Sequence, residues 1–265
     1  MNQYTGPIFG VEGEQFKTYS ATKSWNIPYQ LGQELKIYEN TYRFCRMGSV
    51  AGVAGKLYQS ELPDANFDTL AVPAPSSLTA ATRYNNQTDR ILRVTLPANA
   101  IIANLWAQGY AEIEAVAGAG EGYKYRIRDH VASAGSEDVN FNLVAGDGLQ
   151  VTLNTSDKVT FIKNPYADVV VHPSPPTAHL AGVCVGVIPA GGYGWLQVGG
   201  IATMLIEGTV VINQMVMPSS AVDGAVLAFA LTEATPNTII QPEVGRVVEV
   251  APTTDYGAIW LTGLL

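Results

Sequence analysis

Apolar and polar residues alternate along this chain at the strand period of two far more often than they recur at helical spacing. Residues 90–96 read Arg-Ile-Leu-Arg-Val-Thr-Leu, and residues 149–153, 158–162 and 168–171 are further short β-branched runs closed by Pro, Gly or Asn. Residues 183–188, 202–206, 210–217 and 247–250 continue the pattern into the second half. With 26 glycines and 15 prolines placed between such runs, the spacing predicts an all-β protein of sandwich or barrel type with little helix. Residues 76–84, opening on Ser76 as N-cap, are the best candidate for a short helix.

The pattern divides the chain into zones. Residues 1–40 lack compact strand patterning yet hold Tyr4, Phe9, Phe16, Tyr19, Trp25, Tyr29 and Tyr38, and nine of the 24 aromatics fall in the first 44 residues. A disordered tail is poor in aromatics. This zone therefore reads as an extended arm whose rings sit in pockets, either on its own domain or, the preferred reading, on a neighbour. Tyr4, Phe9, Phe16, Tyr19, Trp25 and Tyr29 are its candidate partner-binding anchors. From Thr41 the text alternates as a half-exposed strand, and residues 51–59 read as a small-residue turn returning into a second strand, giving a hairpin followed by a proline-marked linker over 41–89. A middle β domain over 90–175 ends at the break Pro173-Ser174-Pro175-Pro176, and a C-terminal β domain over 176–265 is expected to pack with the 41–60 hairpin. Residues 105–111 and 194–199 share a weak Trp-x-Gln echo, which two copies of one hairpin would explain as well as chance.

Composition sharpens the function class. The chain is 47% hydrophobic and only 14% charged, so much of its surface is apolar or neutral-polar, the kind that a partner covers. A net charge of −8 argues against nucleic acid as a partner, since phosphate neutralisation needs Lys and Arg gathered on one face. Residues 1–60 carry six basic and four acidic groups, whereas residues 164–265 carry one and seven. The front is thus mildly basic and the back acidic, a polarity that serves docking or arises by scatter. Met-Asn-Gln-Tyr-Thr-Gly-Pro at the N-terminus lacks the basic and apolar regions of a secretory signal, and no apolar run spans a bilayer, so no export or membrane partner is expected. The sequons at Asn86 and Asn154 then lack an export context. Cys45 and Cys184 lie in apolar settings and read as buried free thiols.

Candidate chemistry is sparse. His130, His172 and His179 are the only histidines, and no cysteine or second pair completes a four-ligand site around His172 and His179, so neither metal nor cofactor is expected. Residues 118–122 (Gly-Ala-Gly-Glu-Gly) lack the Lys-Ser/Thr of a phosphate loop and precede an alternating run, so they read as a hairpin turn. That run places Lys124, Arg126 and Arg128 on one face, a candidate anionic contact stripe or a solvated face pairing with Glu112 and Glu114. Asp147, Asp223 and Asp255 sit where turns need Asp. No nucleophile elbow, zinc helix or calcium loop is present. The chain reads as non-enzymatic.

Residues 190–200 (Ala-Gly-Gly-Tyr-Gly-Trp-Leu-Gln-Val-Gly-Gly), followed by residues 202–208, 222–225 and 243–246, resemble the C-terminal region of capsid decoration (cement) proteins of tailed bacteriophages. Tyr42-Arg43-Phe44, residues 55–59 and residues 159–166 look like upstream parts of the same pattern. The resemblance implies a β-rich virion protein on the outer surface of a capsid at a symmetry axis, bound to the major capsid protein and to itself, as a homotrimer in preference to a homodimer, and strengthening the shell. Two other readings stay open: another virion component of tail, baseplate or fibre, and a carbohydrate-binding β-sandwich using Trp106, Trp195 or Trp260 as stacking platforms. The tryptophans' apolar surroundings favour a core role.

Overall fold

The structure, a computed structural model, describes residues 6–20, 29–76, 83–114, 120–144, 146, 148–229, 242–252, 254–262 and 264. The candidate helix at 76–84 lies, but for its ends, outside the described residues. The chain is nearly all β, as the alternation predicts. Strands β1 (Ile8–Phe9), β2 (Glu34–Ile37), β3 (Asn40–Arg46) and β4 (Leu57–Gln59) come first. They are followed by β5 (Leu70–Ala71), β6 (Ile91–Thr95), β7 (Tyr110–Glu114), β8 (Lys124–His130), β9 (Asp138–Leu143) and β10 (Lys158–Ile162). The chain then forms β11 (Val170–Val171), β12 (Leu180–Cys184), β13 (Tyr193–Glu207), β14 (Met215–Pro218), β15 (Val226–Ala228), β16 (Gly245–Glu249) and β17 (Asp255–Leu261).

Two compact units result. Met1–Leu62 and Pro165–Leu265 form a discontinuous unit, and Pro63–Asn164 form a unit inserted into it. The boundaries fall at 62/63 and 164/165, where the sequence pattern placed them at 89/90 and 175/176. Residues 170–171, grouped by their pattern with the middle strands, pair with β4 of the discontinuous unit.

In the inserted unit the strand order is β5-β10-β7-β8-β9-β6, antiparallel throughout, and the end strands β5 and β6 approach each other. One face of every strand is buried and the other is not, so Leu92, Val94, Ile113, Ile127, Phe141 and Phe161 build one core around Trp106. Residues 149–153 are not a strand. Their backbone bonds to the turn at 85–89, with Leu149 N–H donating to the Asp89 carbonyl and Leu153 N–H to that of Asn85, and both leucines plug the core. The run Glu121–Tyr123 closes the β7–β8 connection as a turn, with Gly122 at φ 82°; residues 118 and 119 lie outside the described residues.

The discontinuous unit is organised by β13, fifteen residues long. Its first half pairs with β3 on one side and β12 on the other, in a sheet ordered β1-β2-β3-β13-β12-β4-β11. The hairpin predicted over 41–60 is therefore corrected: β3 and β4 are separated by β13 and β12, because partners for both strands come from the C-terminal third. This sheet is buried on both faces. Phe44 and Trp195 face one cluster, Cys45 and Leu196 the other. The second half of β13 pairs with β17 and β15, and β17-β16-β14-β15 complete a closed five-stranded ring. Ala202, Met204, Ile206, Val216, Val247 and Ile259 fill its interior.

The change of partners happens at Gly199-Gly200, where the register with β3 shifts and Gly200 takes φ 83°. A side chain there would collide with Asn40. Asn40 Oδ1 accepts from the Ile201 N–H at 3.1 Å, and the buried Gln197 amide donates to the Gly199 and Ile201 carbonyls at 3.1 and 2.9 Å. Two side chains thus stand in for the ladder bonds lost at the kink.

Candidate functional site

Beside that kink the surface of the discontinuous unit opens into a groove of about 590 Å³. Six stretches of chain form it: Gln15-Phe16, Tyr42 on β3, residues 53–55, Cys184 with Val185 and Val187, Gln197 with Ile201 and Thr203 on β13, and Tyr256 on β17. Each is placed for a local reason. Gln15 and Phe16 ride on a single 3-10 turn, Glu14–Phe16, held by the Gly13 N–H donating to Gln15 Oε1 at 2.9 Å. The 53–55 loop is fixed by the Val53 N–H donating to the buried Tyr58 hydroxyl at 2.8 Å and the Leu205 N–H donating to the Gly55 carbonyl at 2.8 Å. Gly55 has φ 74°, and a Cβ there would strike the Tyr256 ring. Cys184 Sγ donates to the Gly186 carbonyl at 2.8 Å, setting the turn that presents Val185 and Val187.

Among the described residues that line it, the groove contains no Asp, Glu, Lys, Arg or His. Phe16, Val53, Val187, Ile201 and Tyr256 are all exposed. The Cys184 thiol is pushed up to about 11 by burial, and burial likewise raises that of Cys45. Both are buried free cysteines, present as thiols at neutral pH. Tyr42, at the groove floor, is pushed up to about 12 by burial, so its phenol is neutral too. Among the described residues that line it, the groove offers apolar side chains and neutral hydrogen-bonding groups and no charge.

The anchors singled out in residues 1–40 divide. Tyr4 and Trp25 lie outside the described residues. Phe9 is 81% exposed on β1, which pairs in parallel with β2, and Phe16 forms a rim of the groove. Tyr19 and Tyr29 pack on their own unit: Tyr19 exchanges backbone hydrogen bonds with Tyr193 at 2.9 and 2.8 Å, and the Tyr29 ring lies 5.0 Å from that of Trp195 and 5.2 Å from that of Phe44. Burial lifts the Tyr19 hydroxyl to about 12. The described part of 1–40 includes the Glu14–Phe16 turn and adds two strands, β1 and β2, to the sheet of its own unit.

Lys124, Arg126 and Arg128 share the outward face of β8 in the inserted unit, with Tyr125 and Ile127 inward. Lys124 stands opposite Glu112 in the β7–β8 register and lies over the Tyr110 ring at 5.0 Å, while Arg128 Nε meets Asp129 at 2.6 Å. Acidic groups thus stand beside Lys124 and Arg128, while Arg126 lies opposite Tyr110. Trp106 and Trp195 are 2% and 1% exposed, in separate cores, whereas Trp260 is 44% exposed. The echo between 105–111 and 194–199 is chance, since the first copy is largely a turn and the second a strand.

Two of the histidines, His130 and His172, are buried and hydrogen-bonded, and His179 is exposed. His130 Nε2 accepts from the Trp106 N–H at 3.2 Å while Nδ1 donates to the Val131 carbonyl at 2.9 Å, and burial holds the ring below its usual range. His172 faces two carbonyls, those of Pro173 at 2.7 Å and Ala225 at 2.9 Å. Among the described residues no group of three His, Cys, Asp or Glu could hold a metal ion. Sequence reasoning missed the groove and its supports Asn40 and Gln197; a lone Gln between Leu196 and Val198 in an otherwise apolar run was the available signal.

No protein-family model, curated protein or solved structure matches this chain.

Proposed function

We propose that the chain is a non-catalytic structural protein of a tailed-phage virion, which binds the outer surface of the capsid as a homo-oligomer and cements the shell. The observation that carries this reading is the groove: about 590 Å³ in volume, with exposed Phe16, Val53, Val187 and Ile201 and no charged group among the described residues that line it, on a chain of which only 14% is charged. Such a surface in water gains by being covered, at about 25 cal/mol per Å² of apolar area removed. An extended, uncharged segment of the major capsid protein is the partner its shape and chemistry fit. The resemblance of residues 190–200 and 202–208 to decoration proteins supplies the address, and many weak contacts of this kind add up on a repeating shell.

The test mixes the purified full chain with expanded shells of the major capsid protein from the same source and pellets them. Saturable co-pelleting at a fixed ratio of the two proteins is expected, weakened by Phe16→Asp and Val187→Asp at the mouth of the groove. Shells that pellet without the chain overturn the decoration reading. Binding indifferent to both substitutions removes the groove from it.

A further inference from the structure

We infer that a trough on the inserted unit is a binding site for a short neutral oligosaccharide, a role independent of whether the chain decorates a shell. The trough, about 470 Å³ in volume, runs over the outward face of β9. Asp138, Asn140 and Asn142 alternate with buried Val139, Phe141 and Leu143, so their side chains share that face. Arg93 on β6 stands opposite Asn140 and walls one side, and Val131, just past the end of β8, walls the other. Glu137, the residue before β9, adds a second carboxylate at the Asp138 end.

Hydrogen bonds within the unit orient these groups and leave much of their capacity open. Asp138 Oδ1 accepts from the Thr95 hydroxyl at 2.6 Å and Glu137 Oε1 from that of Ser133 at 2.5 Å, while the second oxygen of each accepts no hydrogen bond from the described residues. The Arg93 guanidinium lies over the Tyr84 ring at 4.6 Å, and its buried Nε is 3.6 Å from Asp138 Oδ2. Stacking and a loose ion pair thus hold it, and its terminal nitrogens donate to no described residue. Asn140 is exposed with its carboxamide unpaired among the described residues, and Asn142 donates one amide hydrogen to Asp129 Oδ1. Donors and acceptors left open therefore lie side by side in one trough. A hydroxyl both donates and accepts, so a polyol satisfies such a mixture, and two neighbouring hydroxyls of a sugar ring fit the fixed fork of the arginine. An anion would meet Asp138 and Glu137, and a cation would meet Arg93. Arg93 and Asp138 are close enough to offset each other's charge, which favours a neutral ligand over a zwitterion. Val131, 66% exposed, gives the C–H face of a ring an apolar contact. The volume falls within the range of small-molecule sites, about 300–1,000 Å³.

Amide chemical-shift mapping on the isotope-labelled full chain tests this with no shell present, so its outcome is separate from that of the pelleting assay. The probes are the methyl glycosides of glucose, galactose and mannose, the disaccharides lactose and maltose, and a sulfated galactoside. At least one neutral probe should shift the amides of Arg93, Val131 and residues 137–142 in a saturable way. Its affinity should fall about 10-fold or more with Arg93→Ala, which removes a charged donor, and about 3- to 10-fold with Asn140→Ala. Asn140→Ala breaks no side-chain hydrogen bond among the described residues, so a loss there is not a folding defect. No response to any neutral probe at tens of millimolar overturns the inference. So do shifts that centre on Trp260, binding that both substitutions leave unchanged, or a sulfated galactoside bound more tightly than the neutral one.

Discussion

The two units are built from the same alternation and use its outward half differently. On β7 and β8 of the inserted unit, inward Ala111, Ile113, Tyr125 and Ile127 are backed by outward Glu112, Glu114, Lys124, Arg126 and Arg128. On β13 and β17 of the discontinuous unit, inward Ala202, Met204, Ile259 and Leu261 are backed by outward Ile201, Thr203, Tyr256 and Trp260. The cores are alike in kind; the outer faces are not. A charged outer face is finished in water, whereas an apolar one is half of a contact. The difference lies in what the strands turn outward and not in what they bury.

The comparison breaks most sharply in the cores. Residues 63–164 are continuous and own a closed cluster, so this piece should fold when expressed alone, and Phe141→Ala, emptying a site between Trp106 and Phe161, should cost it about 3–5 kcal/mol in urea denaturation. A piece that stays unfolded would show that the inserted core is not self-sufficient. Next, Gln197→Leu keeps the volume at the β13 kink but strips the Gly199 and Ile201 carbonyls of their donor, and should destabilise the discontinuous unit by about 1–3 kcal/mol. Hydrogen exchange read residue by residue would place that loss on β13 and leave β7 and β8 protected.

A smaller effect depends on pH. Because the folded pKa of His130 lies below 6.5, the unfolded chain takes up a proton that the native unit refuses, so its contribution to stability is complete above pH 6.5 and is lost as pH falls through the folded value. Thermal unfolding followed from about pH 7 to 5 should decline more steeply for the wild type than for His130→Gln, which can keep an acceptor near the Trp106 N–H and has no proton to gain. Equal slopes would mean that the ring is not held neutral. Smallest of all, Trp260→Ser should change stability by no more than about 0.5 kcal/mol. That near-silence is what separates an outward-facing ring from one in a core.

How far the sequence could be read follows from the same contrast. Residues 158–162 alternate cleanly, one face buried and one wet, and β10 occupies those positions. Residues 149–153 carry the same apolar content but spend it as a plug, which periodicity cannot distinguish from a strand. β13 escaped as a single element because Gly199-Gly200 looks like a terminator, whereas here the positive φ of Gly200 lets one strand serve two sheets. Tyr19 and Tyr29 were visible as anchors, but the aromatic cluster they join, with Phe44 and Trp195, is assembled from positions more than a hundred residues apart. The groove has no sequence signature, since its six stretches are short and unrelated in spacing.

The inserted unit leaves and re-enters the chain beside a paired edge. β4 and β11 are hydrogen-bonded in register, Gln59 opposite Val170, and the unit departs after Leu62 and returns at Pro165. Its two junctions are thus tethered side by side, the arrangement in which a whole domain can be exchanged without disturbing its host. An engineer can replace residues 63–164 with an enzyme or an epitope whose own ends lie close together, and the host unit should keep its fold.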